Sequence, residues 1–574
     1  MTTDRDVTPT GIRRFIPMLS WAPKYNRAWL RPDVIAGLSV GALVVPKALG
    51  YASIAGVPIE HGLYAAAAGA LLYAVFGTSK QIATGPSSAL AAVAAGAVVG
   101  AGISKGSDEA VAMVAAITIG SGLLFLLMAI FKMGWISQFL SKAVITGFLF
   151  GAAIDVVIGE LSKITGTETE GTNSWQELRS WIENLPETDL ATLVVGVGSL
   201  VLIFTLRFTV PRVPEALVLV VLGIGASILF DLGDRGVALI GDVPRGLPSL
   251  ALPDLQFVID NFSVILGASV GLLLIGFSQT TGDARDFAAK HRYQIDINQE
   301  SVAQGMCNVG SGLFQGIPVS TSLSASSLAD QSGAKTQMAS LTTGIIVVLT
   351  MLFLAPVFAD LPKAVLAAII IEAVVMGMIN VPEMKRMWRV SRPDFWIAVA
   401  AILGVLSAGV LTGVLIGVVL SLGRLIYLST TPRMPELGRA TGTQAFLDVD
   451  EHENLETYPG IMILRFDAAL FFATAANFED GIRNHAHDAD PAMQTLVLDF
   501  EGVDFIDSQG SDQLREILDL GSSHDIEVRV ARIKSPVRRL LQRDGVIDVL
   551  GPDKIYGNVY EAVADLIPSE TDVA

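Results

Sequence analysis

From about residue 33 to residue 427, long apolar runs alternate with short polar connections. Each run holds roughly 17–25 residues, the length a helix needs to cross the hydrocarbon of a bilayer. Spans are expected to begin near Asp33, His61, Ser87, Ala110, Phe139, Leu190 and Val213. A second set begins near Phe262, Glu300, Ser322, Gln337, Ala364, Phe395 and Gly409. The expected total is about fourteen, several of them short or glycine-rich. After about Pro432 the pattern changes to short apolar runs among frequent carboxylates. Residues 461–466, 495–500 and 526–531 read as strands, and residues 477–485 and 509–520 as helices, the second capped by Asp507 and Ser508. The pattern thus predicts an α-helical polytopic membrane part followed by a soluble α/β part. Its boundaries are an N-terminal arm over 1–31, a transmembrane part over 32–430, a linker over 431–458 and a soluble domain over 459–574.

Composition agrees with two solvents for one chain. Hydrophobic residues make up 51% and charged residues only 17%, against about a quarter charged in soluble proteins. Most of the formal net charge of −17 falls after Pro432, so the tail would be repelled by nucleic acid, and no nucleic-acid partner is expected. Cys307 is the only cysteine, which excludes an intrachain disulfide. The basic arm, with Arg5, Arg13, Arg14, Lys24, Arg27 and Arg31, lacks the apolar core and cleavage site of a signal peptide and reads as cytosolic. On that footing the inside loops carry Lys80, Lys132, Lys142, Arg207, Arg212, Lys385, Arg386 and Arg389, while the outside loops carry Glu168, Glu170 and Glu187. Lys105, Lys163 and Arg179 depart from the positive-inside rule. A multi-pass protein of the plasma membrane with both termini cytoplasmic is expected, in contact with membrane lipid.

Two segments break the helical pattern at matching places in the two sets. Ala83-Thr84-Gly85-Pro86-Ser87-Ser88 precedes the third span, and Gly316-Ile317-Pro318-Val319-Ser320-Thr321-Ser322-Leu323-Ser324 precedes the tenth. Paired interruptions of this kind point to a midplane site made of half-helices. A helix starting inside the membrane leaves its first N–H groups unpaired, with about half a positive charge. Two such ends facing each other cradle an anion, and serines there cap the helix or donate to the ligand. Plain proline kinks packed among helices are the competing account.

The residues around these breaks resemble the sulfate permease family of anion transporters. Pro46-Lys47-Ala48-Leu49-Gly50-Tyr51-Ala52, Gly62-Leu63-Tyr64 and Gly77-Thr78-Ser79-Lys80 are similar to its signature segments, as are Asn298-Gln299-Glu300 and the stretch from Asn308 to Pro318. The resemblance implies two inverted repeats of seven helices, a core domain moving against a gate domain, and a small inorganic anion held between the starts of the third and tenth helices. It implies Lys47, Tyr51, Ser87, Ser88, Gln279, Ser322, Leu323, Ser324 and Ala325 as substrate-lining positions. Two departures stand out. Lys47 replaces the usual Gln or Glu, and Ala325 stands where many relatives carry Arg. A buried ammonium must pair with a carboxylate, meet the substrate or snorkel to an interface. In the eighth span Gln279 takes the place of a common acidic residue, and Asp283 lies one turn later on the same face. Asp283 is thus a candidate coupling carboxylate for a proton or sodium, a candidate partner for Lys47, or a solvated residue at the helix end. Asn298, Gln299 and Glu300 are expected to cap the ninth helix.

The tail resembles a sulfate-transporter and anti-sigma-antagonist (STAS) domain through Asp507-Ser508-Gln509-Gly510. Gln509 occupies the position phosphorylated in bacterial antagonists, leaving Ser508 as the regulatory candidate. No metal-ligand cluster, nucleotide loop or nucleophile–base set stands out, so neither an enzyme nor a cofactor is expected. The expected function is secondary active transport of an inorganic anion of the sulfate or bicarbonate class, by alternating access and with cation coupling. A dicarboxylate or nucleobase permease of the same fold and a membrane anion sensor are the alternatives. A homodimer is implied by the resemblance alone.

Overall fold

A computed structural model describes residues 15–133, 141–171, 173–210, 214–488 and 492–567. The predicted span starts at Phe139 and Val213, together with Arg5, Arg13, Arg14 and Arg212, lie outside the described residues. The chain divides into two compact units, Met1–Ser421 and Leu422–Ala574.

The first unit begins with helices α1 (Leu30–Ala55), α2 (Glu60–Phe76), α3 (Ser88–Gly100) and α4 (Asp108–Ile130). Helices α5 (Lys142–Thr165), α6 (Leu190–Thr209), α7 (Glu215–Phe230), α8 (Phe262–His291) and α9 (Ile297–Leu313) follow. Then come α10 (Leu323–Gln331), α11 (Met338–Leu349), α12 (Lys363–Met378), α13 (Arg392–Ala408) and α14 (Val410–Thr430), which runs past the division at Ser421. Two three-residue strands, β1 (Thr84–Pro86) and β2 (Val319–Thr321), stand just ahead of α3 and α10. A helix thus begins within a few residues of every predicted start. Among the described residues eight helical segments are long and apolar enough to cross a membrane, while α3 and α7 are apolar but shorter.

Polar residues at the helix ends set where several of these helices start. Ser107 accepts from the Ala110 N–H at α4, Ser141 from Val144 at α5, and Asp189 from Thr192 at α6. Gly56, in the left-handed region at φ 77°, closes α1. Lipid is as apolar as leucine, so close backbone approach rather than burial drives helix association here. A Cβ at Gly62 would collide with the Ala48 carbonyl, so glycine is what lets α2 cross α1. At Gly122 a Cβ would lie 2.7 Å from the Val309 nitrogen, so α4 and α9 also meet at a glycine. The contacts gather into two groups: α4 and α2 pack on α9, with α1 and α2 on α11, whereas α12 packs on α5 and α6, and α13 on α5.

Two expectations are corrected here. Asn298, Gln299 and Glu300 do not cap α9; Asp296 does, accepting from the Asn298 and Gln299 N–H groups. Glu300 is instead buried and bound by the Tyr73 hydroxyl at 2.6 Å, the Thr78 N–H at 2.8 Å, the Thr78 hydroxyl, and the Ser79 N–H at 3.2 Å. It ties α9 to the turn that follows α2. The basic stretch with Lys385, Arg386 and Arg389 is not a loop but a helix, Val381–Val390, capped by Asn380. Its charges served the loop count and masked a helical period.

The second unit carries a parallel sheet of order β6-β7-β8-β9, made of β6 (Ile461–Arg465), β7 (Thr495–Asp499), β8 (Glu527–Ala531) and β9 (Ile555–Tyr556). Helices α15 (Ala475–Asp488) and α16 (Ser508–Ser523) cross between the first three strands. Phe466, Phe478 and Phe500 are fully buried in its core. Asp507 caps α16 by accepting from the Gly510 N–H. A small antiparallel sheet, β4 (Phe446–Asp448), β3 (Leu437–Ala440) and β5 (Leu455–Glu456), occupies the stretch read from sequence as linker.

Candidate functional site

The two broken segments meet. Thr84, Gly85 and Pro86 pair antiparallel with Thr321, Ser320 and Val319. The ladder continues through the Ser322 N–H, which donates to the Ala83 carbonyl at 3.1 Å. These are therefore not kinks in continuous helices but two chain crossings from which α3 and α10 start afresh. Neighbouring side chains hold the crossing in place. Asn308 on α9 imitates a third strand: its Nδ2 donates to the Val319 carbonyl at 2.9 Å, and its Oδ1 accepts from the Val319 N–H at 3.0 Å. Ser311 donates to the Ile317 carbonyl at 2.7 Å, and Ser326 accepts from the Ala83 N–H at 3.0 Å. Backbone polar groups exposed by breaking a helix inside a membrane must find partners, and these residues supply them.

Beside the crossing lies a partly open cleft lined by Lys47, Tyr51, Pro86, Ser322, Ser324 and Ala325, by the hydroxyl-bearing Thr84, Ser340 and Thr343, and by aliphatic residues. Lys47 is the one charged residue among the described residues that line it. It follows Pro46, whose missing N–H interrupts the α1 ladder. Ser322 is the N-cap of α10 and accepts from the Ala325 N–H at 3.4 Å, with the Ser324 hydroxyl 3.2 Å away. Ser87 is the N-cap of α3 and makes no capping bond through its side chain, and Ser88 is the first residue of that helix.

Of the predicted residues, the cleft brings together Lys47, Tyr51, Ser322, Ser324 and Ala325. Ser87 and Ser88 follow the lining residue Pro86 in the chain but are not themselves among the lining residues. Leu323 starts α10, but its side chain is 53% exposed and is not among the lining residues. Gln279 lies on α8 outside the lining, its Oε1 buried without a hydrogen-bond partner among the described residues. Asp283 accepts from the Thr321 hydroxyl at 2.7 Å, which fastens α8 to β2. It is neither a freely solvated helix-end residue nor the partner of Lys47. Ser508 sits in the second unit, exposed at the start of α16.

The partner of Lys47 is a residue the sequence reading overlooked. Glu372 on α12 is fully buried, with its Oε2 3.8 Å from Lys47 Nζ and its Oε1 3.8 Å from Arg207 Nε. Arg207 also donates to Glu215 at 3.1 Å. The signal was in view, because Glu372 is the one charged residue between Ala364 and Met378. A carboxylate in the middle of an apolar span is a functional candidate by default. Arg207, a loop cation by the sequence pattern, is a half-buried member of the same charge network, near the last turn of α6.

Comparison with known proteins places these features. The sulfate permease family profile matches residues 30–401, and the STAS domain profile matches residues 453–562. A probable sulfate transporter of Mycobacterium tuberculosis (strain CDC 1551 / Oshkosh) is 33% identical over 556 residues, covering 95% of this chain and 97% of that protein. Solute carrier family 26 member 10 of Mus musculus is 30% identical, covering 96% of this chain and 85% of that one. The inward-facing murine solute carrier 26 family member A9 anion transporter shares the fold at TM-score 0.88 and 22% identity, over 98% of this chain and 96% of that one. The transmembrane domain of a cyanobacterium bicarbonate transporter superposes at TM-score 0.60 and 24% identity, over 70% of this chain and 99% of that one.

Proposed function

The chain belongs to the sulfate permease family, and from that premise we propose that it is a secondary active transporter of an inorganic anion of the sulfate or bicarbonate class. It works by alternating access and with cation coupling. One observation carries this reading: the β1–β2 crossing sets the starts of α3 and α10 side by side at a cleft where Lys47 is the single charge among the described lining residues. Unpaired helix N–H groups and an ammonium together favour an anion and disfavour a neutral nucleobase. The relatives support the substrate class, since the M. tuberculosis protein is named a probable sulfate transporter and the cyanobacterium protein a bicarbonate transporter.

In this reading Lys47 supplies the fixed positive charge, and Ser322, Ser324, Ser87 and Ser88 donate hydroxyl or helix-end hydrogen bonds. Tyr51 closes one wall, while Leu323, Ala325 and Gln279 shape the approach. Asp283 carries the coupled proton or sodium and reports its occupancy to β2 through Thr321. The protein sits in the plasma membrane as a homodimer with both termini cytoplasmic, and the domain tail from residue 459 regulates it, with Ser508 as the exposed hydroxyl. The test is uptake of labelled sulfate, bicarbonate, chloride and small carboxylates into proteoliposomes, at two pH values and with or without sodium. Flux of one of the two inorganic oxyanions is expected, and no anion flux at all would refute the proposal. Asp283→Asn should remove the dependence on the coupled cation; unchanged pH and sodium dependence would take Asp283 out of the coupling.

A further inference from the structure

Glu372 is held unlike the other deeply buried carboxylates of its unit. Asp33 accepts from the Lys335 N–H at 2.6 Å and the Thr336 N–H at 3.1 Å, and Glu300 has four donors. Neither oxygen of Glu372 has a hydrogen-bond partner among the described residues. Two cations stand instead at equal distance, 3.8 Å from Lys47 on one side and 3.8 Å from Arg207 on the other, too far for a hydrogen bond. Taking a carboxylate out of water without hydrogen bonds is costly, and a pair kept for stability alone would be expected to close to contact. The Lys163–Glu160 pair, at 2.7 Å, shows what such a contact looks like in this protein.

The two cations differ in what else they face. Lys47 lines the cleft; Arg207 does not, and it is already bonded to Glu215. Among the helices packed on α12, the groups acting electrostatically on Glu372 are Lys47 of α1, Arg207 of α6 and Glu215 of α7. Helix α3 brings no charged residue. The Lys47–Glu372 pair also bridges the two packing groups, since α1 belongs to the first and α12 to the second.

We propose that Glu372 is a resident counter-ion that neutralises Lys47 while the cleft is empty. When the substrate anion arrives it takes over Lys47, and Glu372 turns to Arg207. No proton or bond is exchanged, and the charge around Lys47 is balanced both with and without substrate. The consequence concerns the step in which the empty carrier returns. Without Glu372 the empty protein would carry an uncompensated ammonium in its membrane part, a state expensive enough to stall the return. The loaded protein is unaffected, because the anion itself supplies the missing charge. This inference rests on the anion-transport reading of the cleft.

The experiment compares two modes in proteoliposomes with whichever labelled anion the wild-type protein carries. Exchange is measured with unlabelled anion inside, and net uptake into vesicles holding none. In Glu372→Gln, net uptake should fall about tenfold or more while exchange stays within about twofold. Glu372→Asp, which keeps the charge, should retain both modes. The double variant Lys47→Gln with Glu372→Gln has a neutral empty cleft and should regain net uptake relative to Glu372→Gln, at a higher KM. That comparison also stands if the single variant folds poorly, because the double variant must then show net uptake at least equal to its exchange-scaled value. Equal loss of both modes in Glu372→Gln with a lowered melting temperature would mean a structural pair only. Unchanged net uptake would equally overturn the proposal. Absence of both modes in the wild-type protein would instead refute the transport reading itself.

Discussion

At the scale of single residues, the site turns on where charge is placed and how it is satisfied. A charge-assisted hydrogen bond contributes about 1.5–3 kcal/mol, so Lys47→Gln should raise the KM for the anion about tenfold or more. Wild-type KM in liposome uptake would remove Lys47 from the site. Glu300 is the contrasting case. Glu300→Ala leaves the Tyr73 hydroxyl and the Thr78 and Ser79 N–H groups without their acceptor, at about 1–3 kcal/mol for each buried donor. A clear drop in the melting temperature of the detergent-solubilised protein is expected, with KM unchanged in what remains folded. Lys47 was legible as an anomaly in the sequence because an ammonium inside an apolar run demands a partner. Which partner was not legible, since Asp283 and Glu372 are equally plausible by type and only packing sets Glu372 at 3.8 Å.

At the scale of elements, the β1–β2 crossing is the feature that turns two interruptions into one site. Gly85-Pro86 and Pro318 announce the interruptions in the sequence. Their antiparallel pairing is long-range, joining residues 84–86 to 319–321, and no local pattern encodes it. Asn308 is the hinge of that pairing. Asn308→Ala would strip the Val319 N–H and carbonyl of their partners, costing about 1–3 kcal/mol and loosening the start of α10. Transport should fall in maximal rate while the protein still inserts and purifies; Asn308→Asp, which keeps an acceptor for the Val319 N–H, should lose less. Full activity in Asn308→Ala would show that the crossing holds without it.

At the scale of the whole molecule, the two units obey different solvents and are tested separately. In the second unit Arg529 binds Asp565 at 2.5 and 2.9 Å and Glu527 at 3.1 Å, while Lys554 also binds Glu527. These hydrogen bonds hold both carboxyls below their ordinary values of 3.8 and 4.5. A carboxyl depressed in the fold adds stability that is complete above its unfolded value and is lost as pH falls through the folded one. Hydrogen exchange in β8 and in the helix Val559–Val563 should therefore quicken below about pH 4, and the variant Glu527→Gln with Asp565→Asn should flatten that slope. The effect is modest, because the Asp565 side chain is largely exposed and the pair is screened by solvent. Orientation has its own test. In a Cys307→Ser background, the variant Ser508→Cys should react with a membrane-impermeant maleimide only after permeabilisation; labelling of intact cells would reverse the proposed orientation.

By itself the sequence determined the membrane class, the helix starts to within a few residues, the α/β tail and the two interruptions. These follow from local pattern: apolar run length, capping residues and the positions of Gly and Pro. It also supplied the family, because its motifs are contiguous. The tertiary structure alone decided that β1 pairs with β2, that Glu300 is a tie rather than a cap, and that Asp283 binds Thr321. It alone decided that Lys47 faces Glu372. The physical reason is common to all four. A buried polar group in a membrane protein must be satisfied, but the partner that satisfies it is chosen by which helices pack together, and that is a property of the whole fold rather than of any stretch of chain.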